Sequence, residues 1–278
     1  MTRAFHEIFS VTAKERLRMA LEEDVGPKDI TSEILVPKTA TAKAVILAKE
    51  TGILCGAPVV KEIFYIVDPS VEVRFLMEEG RKFTRNRRVM EIEGNVRSIL
   101  QAERTALNFL GRLSGVATKT HAFVQQVKAD LVFILDTRKT TPLLREFEKY
   151  AVRIGGGKNH RMGLHDAIFV KENHRRFGDL EKLKRYRHQF EIEVRNMKEL
   201  KEALALAPQV ILFDNFKPAA LHRAVRYTRR KQPHVILEAS GGISMENVAH
   251  YSAMGIDWIS VGGLTHSLRT IDFSLLIE

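Results

Sequence analysis

Short apolar runs of β character recur through the second half of the chain, with amphipathic helical segments between them. This alternation limits the fold more than any other feature of the sequence. The runs are Leu131–Leu135, Ala167–Val170, Phe190–Val194, Val210–Phe213, Val235–Leu237 and Trp258–Val261. Leu180–His188, Met197–Ala207, Pro218–Arg230 and Ser244–Met254 read as helices between them. Repeated βα units predict a parallel sheet or barrel. Each run ends on a polar residue or glycine: Asp136 with Arg138 and Lys139, then Lys171, Glu193, Asp214, Ser240 and Gly262. From Lys171 onward the steps are 22, 21, 26 and 22 residues, about one βα unit each. In a (β/α) barrel the C-terminal strand ends converge on one mouth, where the chemistry occurs. Any one of these residues alone reads most simply as an exposed loop position. In phase, they predict one site.

The first half has a different texture. Thr12 with Glu15 fits a capping box that opens a helix reaching Asp24. A loop with Gly26, Pro27 and Pro37 follows. Ala42–Lys49, Val71–Phe75 and Arg88–Glu93 read as strands, with a helix over Ala57–Ile66, which predicts α+β structure with antiparallel pairing. Val96–Val127 reads as a long helix broken near Gly111 and Gly115.

Composition narrows the function classes. The 278 residues include 44 Lys and Arg against 34 Asp and Glu, a formal charge of +10. The apolar content is that of a globular protein. No uncharged apolar stretch reaches the roughly 18 residues of a membrane span. The N-terminus lacks an apolar core and carries acids, so neither a signal nor a transit peptide is expected. Cys55 is the only cysteine, which excludes intramolecular disulfides and cysteine-cluster metal sites. It reads as a small buried residue, and the expected location is the cytoplasm. The positive charge fits either nucleic acid or small polyanions. Arg138–Lys171 holds eight bases and three acids, half the net charge in 34 residues. The runs Arg175–Arg187 and Arg223–Lys231 read as solvated helix faces. No helix-turn-helix, aromatic RNP or zinc-finger pattern occurs, so a nucleic-acid partner is not expected.

Several segments carry chemistry. In DTRKTTPLLR (Asp136–Arg145), Arg138 offers a planar fork for carboxylate or phosphate and Lys139 a point charge. Pro142 can occupy the first turn of a helix. GGGKNHRMGL (Gly155–Leu164) is neither a P-loop nor a dinucleotide fingerprint. It reads as a flexible loop whose His160 and Arg161 can clamp an anion. Lys171, in KENH, can bind phosphate or form a Schiff base. Glu193 and Asp214 end neighbouring strands. They suit an acid/base pair, Mg²⁺ ligation, stabilisation of a developing cation, or plain salt bridges to Lys171 or Arg161. ASGGI (Ala239–Ile243) and VGGL (Val261–Leu264) end the last two runs, where barrels commonly bind phosphate.

Taken in order, EEDVGPKDIT, ERTALNFLGRLSGVAT, DTRKTTP, GGGKNHRMGL, KENH, EIEV, DNF, EASGGI and VGGLTHS resemble the quinolinate phosphoribosyltransferase family over nearly the whole chain. The resemblance implies an open-faced α+β sandwich over residues 1–112 and an incomplete α/β barrel over 113–266. A tail, 267–278, would return to the first domain. It implies transfer of phosphoribose from phosphoribosyl pyrophosphate to quinolinate with decarboxylation, giving nicotinate mononucleotide for NAD synthesis. No Schiff base or organic cofactor is then needed. Carried over position by position, Arg104, Arg138, His160, Arg161 and Lys171 look like the quinolinate-binding set, with Arg104 supplied by a neighbouring subunit of a homodimer that can assemble further into a hexamer. Lys139 and Lys171 look like contacts to the phosphoribosyl donor. Glu193 and Asp214 look like the acidic pair beside the ribose and its Mg²⁺, and Ser240, Gly241 and Gly262 like the 5′-phosphate site. Lys139, Lys171, Glu193 and Asp214 are the implied catalytic residues. Two positions depart from the family: Leu143 where glycine is usual, and Gly263 where alanine is usual.

Overall fold

The computed structural model describes residues 4–127 and 131–278. The first three residues of the N-terminal segment lie outside that set. In chain order the elements are α1 (Phe5–Ile8), α2 (Val11–Val25), α3 (Ile30–Leu35), β1 (Thr41–Ala48), β2 (Gly52–Ile53), α4 (Ala57–Val67), β3 (Glu72–Phe75), β4 (Lys82–Phe83), β5 (Arg88–Asn95) and α5 (Val96–Gln126). Then come β6 (Phe133–Leu135), α6 (Arg145–Ile154), β7 (Ile168–Val170), α7 (Glu172–Phe177), a 3₁₀ segment (Leu180–Tyr186), β8 (Phe190–Val194), α8 (Met197–Ala205) and β9 (Val210–Asp214). The chain ends with α9 (Pro218–Lys231), β10 (Ile236–Ser240), α10 (Val248–Ser252), β11 (Trp258–Ser260), α11 (Gly263–His266) and β12 (Phe273–Ile277).

The chain divides into two compact units. The first holds residues up to Lys119, together with Thr141–Gly156 and Ser267–Glu278. Its main sheet is antiparallel in the order β12–β1–β5–β3. Ile46, Ile63, Phe64 and Ile92 are buried in this unit, each contributing about 1.5–3 kcal/mol on leaving water. The second unit holds Thr120–Thr140 and Gly157–His266. Its six strands are all parallel, in the order β6–β11–β10–β9–β8–β7. Among the described residues β6 and β7 are left as edges, so the barrel-like sheet is not closed. Ile192, Ile211, Leu237 and Ile259 are fully buried at its centre.

Several sequence expectations change. Helix α5 is not broken at Gly111 or Gly115. Those glycines instead admit the returning chain: a Cβ on Gly111 would lie 2.5 Å from the Ile271 carbonyl oxygen, and one on Gly115 would lie 2.4 Å from that of Arg269. Residues 141–156 also belong with the first unit, as does the tail Ser267–Glu278. Helix α2 is capped by Ser10, whose hydroxyl accepts the Ala13 N–H, and not by Thr12. Pro142 lies in a turn ahead of α6, which starts at Arg145. The Leu180–Tyr186 segment is 3₁₀ and buries no residue, so no packing supports a longer α-helix. Helix α10 shrinks to five residues because the Asn247 side chain engages the turn before it, accepting from Ser244 N–H and donating to the Gly242 carbonyl.

Leu143 adopts φ 65°, the left-handed conformation that explains why glycine is usual there. Its side chain is exposed, so no buried contact offsets the strain. A side chain in this region costs roughly 1–2 kcal/mol, partly offset by the extra chain entropy of glycine. Leu143→Gly is therefore expected to stabilise the protein by about 0.5–1 kcal/mol in denaturant titration; a loss of stability would show that Leu143 makes a compensating contact.

Candidate active site

The C-terminal ends of the parallel strands in the second unit surround a cleft of about 790 Å³. Arg138, Lys139, His160, Arg161, Lys171, Glu193, Asp214, Ser240, Gly241 and Gly262 all line it. Arg104 does not; it is exposed on α5 in the first unit. Register brings the strand ends together: Ser240 on β10 sits opposite Asp214 on β9 and Ser260 on β11.

Strand geometry also explains lining residues that sequence reading missed. Residues two apart on a strand face the same way. The cleft accordingly takes Phe169 with Lys171, Leu212 with Asp214, Glu238 with Ser240 and Ser260 with Gly262. Counting back two from Lys171, Asp214, Ser240 and Gly262 would have found them. The clearest signal was an acid inside an apolar strand, as in FEIEV and ILEAS.

The positive side of the cleft is crowded. Arg161 is buried, and its charge is disfavoured first by burial and next by the Arg138 guanidinium, while Glu191 and Asp166 favour it. Its Nη1 donates to the Ala167 carbonyl at 3.1 Å. The Phe169 ring lies under both Arg161, 5.0 Å from the ring centre, and Lys171, at 4.7 Å. The basic stretch 138–171 is not one clamp, however. Arg145, Lys149 and Arg153 ride on α6 in the first unit, where Lys149 is fully buried.

Nor is the loop around His160 loose, as its glycines suggested. A parallel bridge pairs Lys158 with Leu135. Asp136, fully buried at the end of β6, accepts the His160 backbone N–H at 2.9 Å and the Asn159 side-chain amide. The His160 imidazole is hydrogen-bonded through one nitrogen and flanked by a carboxylate at the other. Its Nδ1 accepts the Arg161 N–H at 2.8 Å, and its Nε2 is 2.9 Å from a Glu191 carboxylate oxygen.

The negative side is a pair. Burial pushes the Glu193 carboxyl up; Lys171, 3.8 Å away, opposes this, and the Asp214 charge adds to it. Asp214 accepts from the Asn215 side chain at 3.0 Å. Two carboxylates that repel each other in an open cleft, both hard oxygen donors, are of the chemistry that suits a Mg²⁺ ion. A second grouping, His160, Glu191 and Glu238, also brings possible metal donors together among the described residues.

The glycine turns close one side. Gly241 and Gly242 have φ of 89° and 63°, and a Cβ on Gly241 would lie 2.2 Å from Asn215 Oδ1. Beside Gly262, Thr265 Oγ1 donates to the Lys139 carbonyl at 2.8 Å, which fixes the backbone that carries Lys139.

A parallel βα unit that gathers paired guanidiniums, paired carboxylates and glycine turns at its strand ends defines a barrel-type enzyme of anionic, phosphorylated substrates. The comparisons agree. Residues 29–114 match the N-terminal domain of quinolinate phosphoribosyl transferase and residues 116–276 its C-terminal domain. The chain belongs to this family. It is 39% identical over 272 residues to a probable nicotinate-nucleotide pyrophosphorylase [carboxylating] of Methanocaldococcus jannaschii, covering 93% of this chain and 95% of that protein. Identity to the nicotinate-nucleotide pyrophosphorylase [carboxylating] of Mycobacterium leprae is 37%, covering 95% and 96%. The solved nicotinate-nucleotide pyrophosphorylase of Francisella tularensis superposes with a TM-score of 0.89 at 36% identity, over all of both chains.

Asp136→Asn places an amide against the Asn159 amide in a fully buried site. It is expected to destabilise the protein by about 1–3 kcal/mol in denaturant titration. Unchanged stability would mean that the His160 loop is held by other contacts.

Proposed function

We propose that the strand-end cleft is where the chain performs its family's reaction, phosphoribosyl transfer from phosphoribosyl pyrophosphate to quinolinate with loss of carbon dioxide. The products are nicotinate mononucleotide, pyrophosphate and carbon dioxide. The observation that carries this reading is the division of charge within one cleft. Arg138 crowds the buried Arg161 on one side, and Asp214 crowds Glu193 on another. Both repulsions are relieved by ligands of opposite sign.

Quinolinate has adjacent carboxylates on a flat ring, and Arg138, Arg161 and Lys171 supply cations for them. Arg104 is the further cation, contributed by the neighbouring subunit of a homodimer that can build into a hexamer. His160 belongs to this set by holding Arg161. Ser240, Gly241 and Gly262 receive the 5′-phosphate, where glycine lets backbone approach closely. Lys139 and Lys171 meet the diphosphate. Glu193 and Asp214 would hold Mg²⁺, which would supply positive charge against the diphosphate. As pyrophosphate departs, the anomeric carbon becomes positive, and the two fixed carboxylates favour that charge. Positive charge around the ring then favours the electron pair left on the ring carbon by decarboxylation, which takes up a proton from solvent. Position and field do this work without a covalent enzyme intermediate. No helix among the described residues is long and apolar enough to cross a membrane, and we place the reaction in the cytoplasm.

The direct test is incubation with quinolinate, phosphoribosyl pyrophosphate and Mg²⁺, with chromatographic detection of nicotinate mononucleotide. Product from nicotinate but not from quinolinate would sink the reading. Arg138→Ala is expected to weaken quinolinate binding at least tenfold, consistent with about 1.5–3 kcal/mol for a hydrogen bond to a charged group; wild-type affinity would remove Arg138 from the clamp. Glu193→Ala should lower kcat by about 10²–10³, the size of an electrostatic transition-state contact, with little change in quinolinate KM. Unchanged kcat would dismiss the cation-stabilising role.

A further inference from the structure

Three ionisable groups meet where His160 and Glu238 line the cleft and Glu191 lies beside them, and the chemistry above gives the two acids no task. His160 Nε2 lies 2.9 Å from Glu191 Oε2 and 3.6 Å from Glu238 Oε2. Glu238 is fully buried, and its Oε1 accepts from the buried Ser260 hydroxyl on β11. Among the described residues, His160 Nε2, Glu191 Oε1 and Glu238 Oε2 are buried without a hydrogen-bond partner. A buried carboxylate without partners is unfavourable unless it takes up a proton.

We propose that Glu238 is a positioning residue that acts as a neutral carboxylic acid: anchored by Ser260, it confines the His160 ring against Glu191 and so fixes the Arg161 guanidinium that receives quinolinate. The proposal rests on the reading of the cleft given above. The chain of contacts is continuous. Ser260 holds Glu238, and Glu238 and Glu191 flank His160. His160 Nδ1 in turn accepts the backbone N–H of Arg161.

Neutrality matters because of what lies above. With both carboxylates ionised, two negative charges would sit behind the cations that must attract a dianion. A proton on Glu238 removes one of these charges. Burial and the Glu191 charge push Glu238 up to about 8, against the opposing pull of His160, Ser260 and Lys171. These are the groups that face it from the His160 loop, β8, β11 and the end of β7. His160 Nε2 and Glu191 Oε2 lie 2.9 Å apart without hydrogen-bond alignment. Two tetrahedral ligands at metal bonds of about 2.0–2.1 Å would sit further apart, which favours a proton over a cation among these three.

The sign of the pH effect follows from the raised value. Protonated Glu238 stabilises the folded state fully below the ordinary carboxyl range. That contribution is lost as pH rises toward 8.

The test compares wild type, Glu238→Gln and Glu238→Ala. Quinolinate affinity is measured by calorimetry from pH 6.5 to 9.5, and stability by denaturant titration over pH 5–9. Wild-type quinolinate affinity should fall more than tenfold above pH 8. Glu238→Gln, neutral and able to keep the Ser260 bond, should bind within about threefold of wild type at pH 7 and lack the alkaline fall. Glu238→Ala should lose at least tenfold at pH 7 while still binding phosphoribosyl pyrophosphate, which reports an intact fold. Without ligand, Glu238→Gln should gain stability relative to wild type as pH rises. The proposal is overturned if Glu238→Gln keeps the alkaline fall, if it loses binding at pH 7, or if stoichiometric divalent metal is released from denatured wild type but not from Glu238→Ala. If wild type fails to bind quinolinate at all, the cleft's assignment fails instead, and the stability comparison still decides the state of Glu238.

Discussion

Parallel register combined with the two-residue period of a β-strand is the constraint on which this site depends. In β8 it sends Glu191 and Glu193 to one face, and in β10 it sends Glu238 and Ser240 to one face. Register then sets these faces side by side, since Glu193 and Glu238 both lie level with Leu212 on the intervening β9. The intervening residues Ile192, Leu237 and Ala239 face the other way and are buried. Shifting one strand by a single residue would exchange these sets, replacing acids in the cleft with aliphatic side chains. The hydrophobic packing of Ile192, Ile211 and Leu237 therefore does more than stabilise the second unit. It fixes which ionisable groups can meet.

Once fixed, those groups are left in mutual conflict. Arg138 disfavours the charge on Arg161, and Asp214 disfavours that on Glu193. Each conflict makes the empty cleft less favourable than a cleft holding the opposite charge, so ligand binding recovers electrostatic energy that folding left unspent. Phe169 eases the arrangement by presenting its ring to both Arg161 and Lys171. The glycine turns play a different part. Asn215, itself at φ 54°, fills the space that a Gly241 side chain would need.

Much of this was legible in the sequence. The βα alternation is set by local period, and each apolar run became a strand within a few residues. The strand-end residues Lys171, Glu193, Asp214, Ser240 and Gly262 were found because their spacing matches one βα unit. The layer beneath was not found, since an acid in the middle of an apolar run offers no local reason to be buried. Glu191 and Glu238 become intelligible only when β8 and β10 are set on either side of β9 with His160 between their side chains. Gly111 and Gly115 misled for a similar reason. Locally they weaken a helix, while their actual role is to let the Arg269 and Ile271 carbonyls approach. The charge run over residues 138–171 was likewise sequence-local: the chain leaves the second unit at Thr141 and re-enters at Gly157, taking three bases with it.

That excursion bears on the rigidity of Arg161. A residue four positions past a triple glycine could be expected to wander, and ordering it on binding would subtract from affinity. Instead the loop is tied from separate strands. Asp136, at the end of β6, holds the His160 backbone and the Asn159 side chain, while β8 and β10 hold the His160 ring through Glu191 and Glu238. Arg161 is joined to that ring by its own N–H and to the Ala167 carbonyl by its guanidinium. The glycines thus serve the path of the chain rather than its mobility: Gly156, at φ 92°, turns the chain after α6 so that Lys158 can bridge to Leu135. With the backbone held on both sides of the turn, the entropy of presenting a guanidinium is lost during folding, where many contacts oppose it, and not at the moment of binding.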